Sequence, residues 1–259
     1  MDLYHGGKKC WRLLDEGILA IRDIPDTTDL TDRQIIQRGV ARSGKPHVDQ
    51  AALRTFLARL RYPVSYLDFE TFATAIPMFD GLGPYQTVPF QFSLHIQDQP
   101  GGPLQHRGFL ADGTADPRPE FIRQLRTALP KAGSVVVYNA SFEFGVLNRL
   151  AEAYPEHDAW VGNVQDRMLD LLDPFKAFDY YHPGQHGSAS IKAVLPALTG
   201  RTYASLAIRE GDAASREFVR VHLCLVPEPE RQRVRRQLQE YCGQDTEGMV
   251  WIVEGLRNL

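Results

Sequence analysis

The chain has 259 residues, 43% hydrophobic and 24% charged, with a formal net charge of −3. That is enough for one large domain or a domain plus an extension. No apolar run approaches the roughly 18 to 20 residues that span a bilayer, the three cysteines form no C-x-x-C pair, against a zinc ribbon, an iron–sulfur site or a disulfide framework, and no global basic field advertises nucleic acid.

Residues 1–61 read as a helical extension. No apolar signal core follows Met1 to Lys9, so the expected location is cytoplasmic. Lys8 to Gly17 reads as a short helix closed by Gly17, with Trp11, Leu14 and Ile18 docked at helical spacing. Thr31 to Ile36 starts a brief helix. Asp49 then caps a helix over Gln50 to Arg61, with Leu53, Phe56, Leu57 and Leu60 on one face.

Ser65 to Thr71 reads as a strand, with period-two alternation after Pro63. Successive side chains point to opposite faces, so Asp68 and Glu70 share one face while Leu67 and Phe69 point into core. Two carboxylates side by side on an otherwise apolar strand repel each other and cost desolvation. A divalent cation resolves this, and hard cations such as Mg²⁺ take carboxylate and phosphate oxygens. The same pattern also suits a strand end with two solvated acids.

Thr71 to Tyr85 is loop-like and sits beside the carboxylates, where it can border a substrate. Val88 to Gln97 alternates cleanly and reads as an antiparallel strand buried on one side, with Gln91, Ser93, His95 and Gln97 on a solvated face or, for Gln91 and His95, facing substrate. Leu104 to Leu110 completes a meander, and Pro117 to Leu129 reads as a helix. The valine run Ser134 to Asn139 suits a strand buried on both faces, leading into a helix from Ala140 to Leu150. Asn139 therefore sits at a strand's carboxyl end, where open α/β sheets bind ligands, and Glu143 in a first helical turn. Glu143 is equally readable as an ordinary helix-start acid.

Asn163 to Asp173 reads as a fifth strand or a short helix, with Asp170 as a reserve metal ligand. Phe175 to Gly187 reads as a loop, and Pro183 and Gly184 break any helix that would pair His182 with His186 over a metal. Ser188 to Ser190 caps a helix over Ile191 to Leu198, whose amides, with Lys192, can receive a phosphate. Tyr203 to Val226 is read as helical with a loop. A long helix over Glu230 to Leu256 places Tyr241 and Asp245 on one face, a turn apart.

The order D-x-E on a strand, N-x-x-F-E at a strand–helix junction and Y-x-x-x-D on a C-terminal helix resembles the DnaQ-like 3′–5′ exonucleases of the ribonuclease H-like superfamily, in their tyrosine form. Asp68-Phe69-Glu70-Thr71, Asn139 to Glu143 and Tyr241 to Asp245 carry the resemblance. Residues 62–259 are covered. "LDFETF", "PYQTVPFQFSLH", "YNASFE" and "SASIKAVLP" look like an uncharacterised bacterial domain-of-unknown-function family within that superfamily. The resemblance implies a mixed five-stranded sheet flanked by helices. It also implies two Mg²⁺ or Mn²⁺ ions about 4 Å apart, held by Asp68, Glu70, Asp245 and Glu143, with Tyr241 orienting water. The superfamily has Asp where this chain has Glu143, one methylene longer, so the metal shifts or is bound through water. The implied substrate is nucleic acid, cut from a 3′ end to nucleoside 5′-monophosphates. Thr71, Phe72, Asn139, Ser190 and Lys192 are the expected substrate contacts, with Phe72 stacking on a terminal base or buried. Longer relatives carry another nuclease-like domain before this one, and the chain is a short natural version or a fragment. Other readings are a binding module without catalysis and a structure-specific endonuclease on the same fold.

Overall fold

The computed structural model describes residues 2–259. Internal packing divides the chain into two units: one gathers residues 1–59, 171–202 and 251–259, the other residues 60–170 and 203–250. The sequence suggests a single boundary after residue 61, whereas the first unit draws on three separate stretches.

The chain begins with α1 (Gly7–Asp15), α2 (Asp32–Ser43), the short strand β1 (His47–Val48) and α3 (Gln50–Leu57). Next come β2 (Val64–Phe72), β3 (Val88–Gln97), β4 (Leu104–Leu110), α4 (Arg118–Ala128), β5 (Val135–Val137), α5 (Ala140–Ala153), α6 (Asp158–Asp166) and β6 (Met168–Asp170). Then follow α7 (Asp173–Ala177), β7 (Tyr180–Tyr181), α8 (Ile191–Thr199), α9 (Gly211–Leu223) and the 30-residue α10 (Glu228–Arg257).

In the first unit, β1 and β7 pair antiparallel. Thr31 and Gln34 form a reciprocal capping box that starts α2, a longer helix than the sequence suggests. Asp49 caps α3 through the Ala52 amide, but α3 ends at Leu57 rather than Arg61. Trp11 is a correction. It is 70% exposed, while Leu13 is the buried residue of α1, packed with Leu3 and Ile24. The segment read as a loop after Phe175 instead holds part of α7 and β7. There the His182 ring accepts a hydrogen bond from the Gly184 amide and so caps a short turn.

The second unit is a five-stranded mixed sheet in the order β4-β3-β2-β5-β6. The β4-β3-β2 meander is antiparallel, and β5 and β6 run parallel to β2. Asn163 to Asp173 thus resolves into the end of α6 followed by the fifth strand of the sheet. Gly133 permits the close β2–β5 approach: its φ is +87°, and an added Cβ would strike the Pro63 carbonyl.

One face of this sheet is apolar. Leu67, Phe69, Phe92 and Leu94 pack against Phe121, Ile122 and Leu125 of α4 and Val146, Leu147 and Leu150 of α5. The other face lies under α10. Gln91 donates to the Leu238 carbonyl at 2.9 Å, and Ser93 and His95 each lie 2.8 Å from the Thr246 hydroxyl. The expected solvated face of β3 is therefore corrected: every residue of that strand is buried.

Candidate metal centre

Parallel pairing of β2 and β5 brings their carboxyl ends to one edge of the sheet. Their last paired positions are Tyr66 and Val136. Two residues further on lie Asp68, within β2, and Tyr138, just past the end of β5 and before α5. A register shift follows Glu70: Glu70 pairs with Gln91 and Thr71 with Pro89, so β3 bulges at Phe90. Across the ladder, Asp68 faces Ser93 and Glu70 faces Gln91 on the face that α10 covers.

Glu143 is 1% exposed, and its Oε2 has no hydrogen-bond partner among the described residues. Burial, then the charges of Asp68 and Asp170, push its carboxyl well above the usual range. Glu70 and Asp245 are buried and Asp68 is half-buried. Burial pushes the Tyr241 hydroxyl up, and Asp245, Glu70 and Asp68 add to it, so the tyrosine borders three of the four acids. The structure thus brings together Asp68, Glu70, Glu143, Tyr241 and Asp245, drawn from β2, α5 and α10.

Three further residues belong to this centre. Cys242 is fully buried, and its thiol donates to Asp68 Oδ2 at 3.5 Å. Burial, then the Asp68, Glu70 and Asp245 charges, push that thiol up. Donor atoms of Asp68, Glu70 and Cys242 all lie within 4.8 Å of one another. Tyr203 donates to Asp245 Oδ1 at 2.6 Å. Asp170, expected as a reserve ligand, serves a different purpose, since its two carboxylate oxygens accept from the Asn139 and Ala140 amides at 2.9 Å. It thereby caps α5 from β6, where Asn139 sits in the left-handed region at φ 80° and its side chain makes no cap. Cys242 lies inside the third motif and is legible there; Tyr203 sits in a turn with no local pattern to mark it.

The expected substrate contacts fall in different settings. Phe72 is 3% exposed and packs between Phe90 and Phe218, so it cannot stack on a base. Thr71 is half-buried beside the bulge, and Asn139 is exposed at the head of α5. Ser190 and Lys192 fall in the first unit, at the start of α8. Ser190 stands at the capping position but its side chain caps no helix amide; it accepts instead from Ser188 Oγ at 3.1 Å.

The donor set fits a hard divalent cation. Four carboxylates converge in a buried place, the side-chain charges acting on Glu143 and Tyr241 are all those of other acids, and one buried oxygen is an orphan. Such a cluster is costly unless positive charge enters it, and oxygen donors are what Mg²⁺ and Mn²⁺ take.

Fold and site together define an α/β protein with a carboxylate-rich centre at the carboxyl edge of a mixed sheet. A protein-family model described as "Domain of unknown function (DUF2779)" matches residues 65–190. That stretch holds the first two motifs and stops short of Tyr241 and Asp245. It accords with the expected domain-of-unknown-function family. The "Uncharacterized protein MG366 homolog" of Mycoplasma pneumoniae (strain ATCC 29342 / M129 / Subtype 1) is 26% identical over 220 residues, covering 75% of this chain. The chain spans about a third of that relative's length, 32%. No solved structure matches. Among the described residues, no helix is long and apolar enough to cross a membrane.

Proposed function

We propose that the second unit is a metal-dependent nuclease of ribonuclease H-like fold, acting in the cytoplasm as a 3′–5′ exonuclease on DNA or RNA. The observation that carries the reading is the buried, orphaned Glu143 carboxyl beside Asp68. A carboxylate with no hydrogen-bond donor at its oxygen, next to another carboxylate, is a place prepared for a cation. The strand order supports the fold, since β2, which carries the first motif, lies beside β5, which leads into the second.

Asp68, Glu70, Glu143 and Asp245 are the residues that hold the metal. Two Mg²⁺ or Mn²⁺ ions, when bound, supply an activated water and stabilise the charge on the phosphate and leaving 3′ oxygen. The remaining residues fix this arrangement. Cys242 orients Asp68 through Oδ2, and Tyr203 orients Asp245 through Oδ1. Asp170 holds the first turn of α5, and so the position of Glu143. The raised Tyr241 hydroxyl stays protonated at neutral pH. It therefore acts as a donor that orients the attacking water rather than as a general base.

End-labelled single-stranded DNA and RNA, incubated with the protein and Mn²⁺ beside a chelator control and a circular substrate, test this. Metal-dependent laddering from the 3′ end with the circle intact is the expected result, and Asp68→Asn is expected to abolish it. Cutting of the circle would make the protein an endonuclease. Binding of all substrates with cleavage of none would make it a binding module.

A further inference from the structure

The presence of a sulfur atom among these carboxylates goes beyond the proposed hard-metal chemistry. Cys242 is one of the least accessible side chains in the molecule, at 0% exposure, yet oxygen atoms of Asp68 lie beside its sulfur. Its Sγ lies 3.5 Å from Asp68 Oδ2 and 3.9 Å from the Asp68 carbonyl oxygen. A buried structural cysteine ordinarily behaves as a small hydrophobe. This one faces a carboxylate pair.

The spacing suits a metal. With metal–sulfur bonds of about 2.3 Å and metal–oxygen bonds of about 2.1 Å, a tetrahedral centre has a sulfur-to-oxygen edge of roughly 3.6 Å. The Cys242–Asp68 separation is 3.5 Å, and the Glu70 donor lies within the same 4.8 Å group. The buried Glu143 Oε2, without a hydrogen-bond partner among the described residues, is a second observation that points to a cation in this centre. Sulfur discriminates among cations: thiolate ligands favour Zn²⁺ and its relatives over Mg²⁺, which keeps to oxygen.

We propose that Asp68, Glu70 and Cys242 form a three-ligand site for a thiophilic divalent cation of the Zn²⁺ class, overlapping the centre assigned above to Mg²⁺ or Mn²⁺. Binding replaces the S–H···O hydrogen bond with a sulfur–metal bond, and the thiol proton leaves to the buffer. Because Asp68 and Glu70 serve both arrangements, the two cation classes exclude each other. A thiophilic ion is then an inhibitor or a setting of the proposed nuclease. The inference rests on that reading only for its regulatory meaning; the site itself needs no catalysis.

The test is titration of the chelator-treated full chain with Co²⁺, a spectroscopic stand-in for Zn²⁺, followed by near-ultraviolet sulfur-to-cobalt charge transfer. A band is expected that Zn²⁺ removes on addition. It is expected to be lost in Cys242→Ser and in Cys242→Ala, and retained when Cys10 and Cys224 are both changed to Ser, which assigns the sulfur. Far-ultraviolet circular dichroism establishes that each variant is folded. Absence of the band in the wild-type protein, or its survival in folded Cys242→Ser, overturns the site. Absence of the band alongside Mn²⁺-dependent cleavage would sink the thiophilic site and leave the nuclease. A Cys242-dependent band with no cleavage under any metal would do the reverse.

Discussion

The two faces of the β2–β3 ladder are both buried, and they are chemically opposite. On one, Leu67, Phe69, Phe92 and Leu94 meet the aromatic and aliphatic residues of α4 and α5, with Phe121 edge-on to Phe69, Phe92 and Phe109. On the other, Asp68, Glu70, Gln91, Ser93 and His95 lie under α10. The first face gains free energy from every methylene removed from water. The second must find a partner for each polar atom it buries; Gln91 Oε1 on this face and Glu143 Oε2 on α5 have none among the described residues. Equal burial thus gives an apolar layer that stabilises the fold on one side and, on the other, a polar layer that the proposed metal centre would use.

Removing apolar bulk should show the larger effect on stability. Phe121→Ala empties the centre of the apolar face and is expected to cost about 3–5 kcal/mol, read by chemical denaturation. Metal affinity of the folded fraction should be unchanged. On the polar face, Thr246→Val keeps the shape but removes the hydroxyl that Ser93 and His95 share. The expected cost is about 1–3 kcal/mol. Asp68→Asn reverses the sign: it relieves charge repulsion and should raise the stability of the metal-free protein by about 0.5–2 kcal/mol, while abolishing the stabilisation that added Mn²⁺ gives the wild type. If Asp68→Asn instead destabilised the metal-free protein as Phe121→Ala does, the acid would be structural and the contrast between faces would collapse.

The apolar face is readable from the sequence because its information is local. Alternation over Val64–Phe72 and Val88–Gln97 assigns each side chain to a face, and the helical spacing of Phe121 and Leu125 supplies the cover. The D-x-E pair is readable for the same reason. The fate of Gln91, Ser93 and His95 is not, since alternation says which residues share a face but not what lies on it. Their cover includes Thr246, 153 residues beyond Ser93. Cys242 meets Asp68 across 174 residues, and Tyr203 meets Asp245 across 42. Contacts at such separations leave no periodic trace. Phe72 is misplaced as a substrate contact for a related reason, because α9, which buries it through Phe218, enters much later in the chain.

The smallest effect expected is also the most direct probe of that cover. His95 is held down to about 4, first by burial and then by the stacked His106, itself beside Glu247 of α10. In the unfolded chain histidine titrates near 6.5. Between about 6.5 and about 4 the unfolded state therefore binds a proton that the folded state refuses. Stability from this group is whole above that window, falls as pH drops through it and levels off below. His222, also lowered to about 4 by burial and then by Arg235 and Arg231, contributes a slope of the same sign. His106, also lowered by burial, adds a slope of the same sign, so His95→Gln should leave the His106 and His222 parts and shrink, without abolishing, the loss of stability from about pH 6.5 to about pH 4.5. Denaturation midpoints measured across that range for both proteins give the comparison. An unchanged slope would mean that His95 titrates as it does in water and that α10 does not seal the polar face. Water would then reach the acids beneath that helix, and hydration rather than a cation would offset their charge.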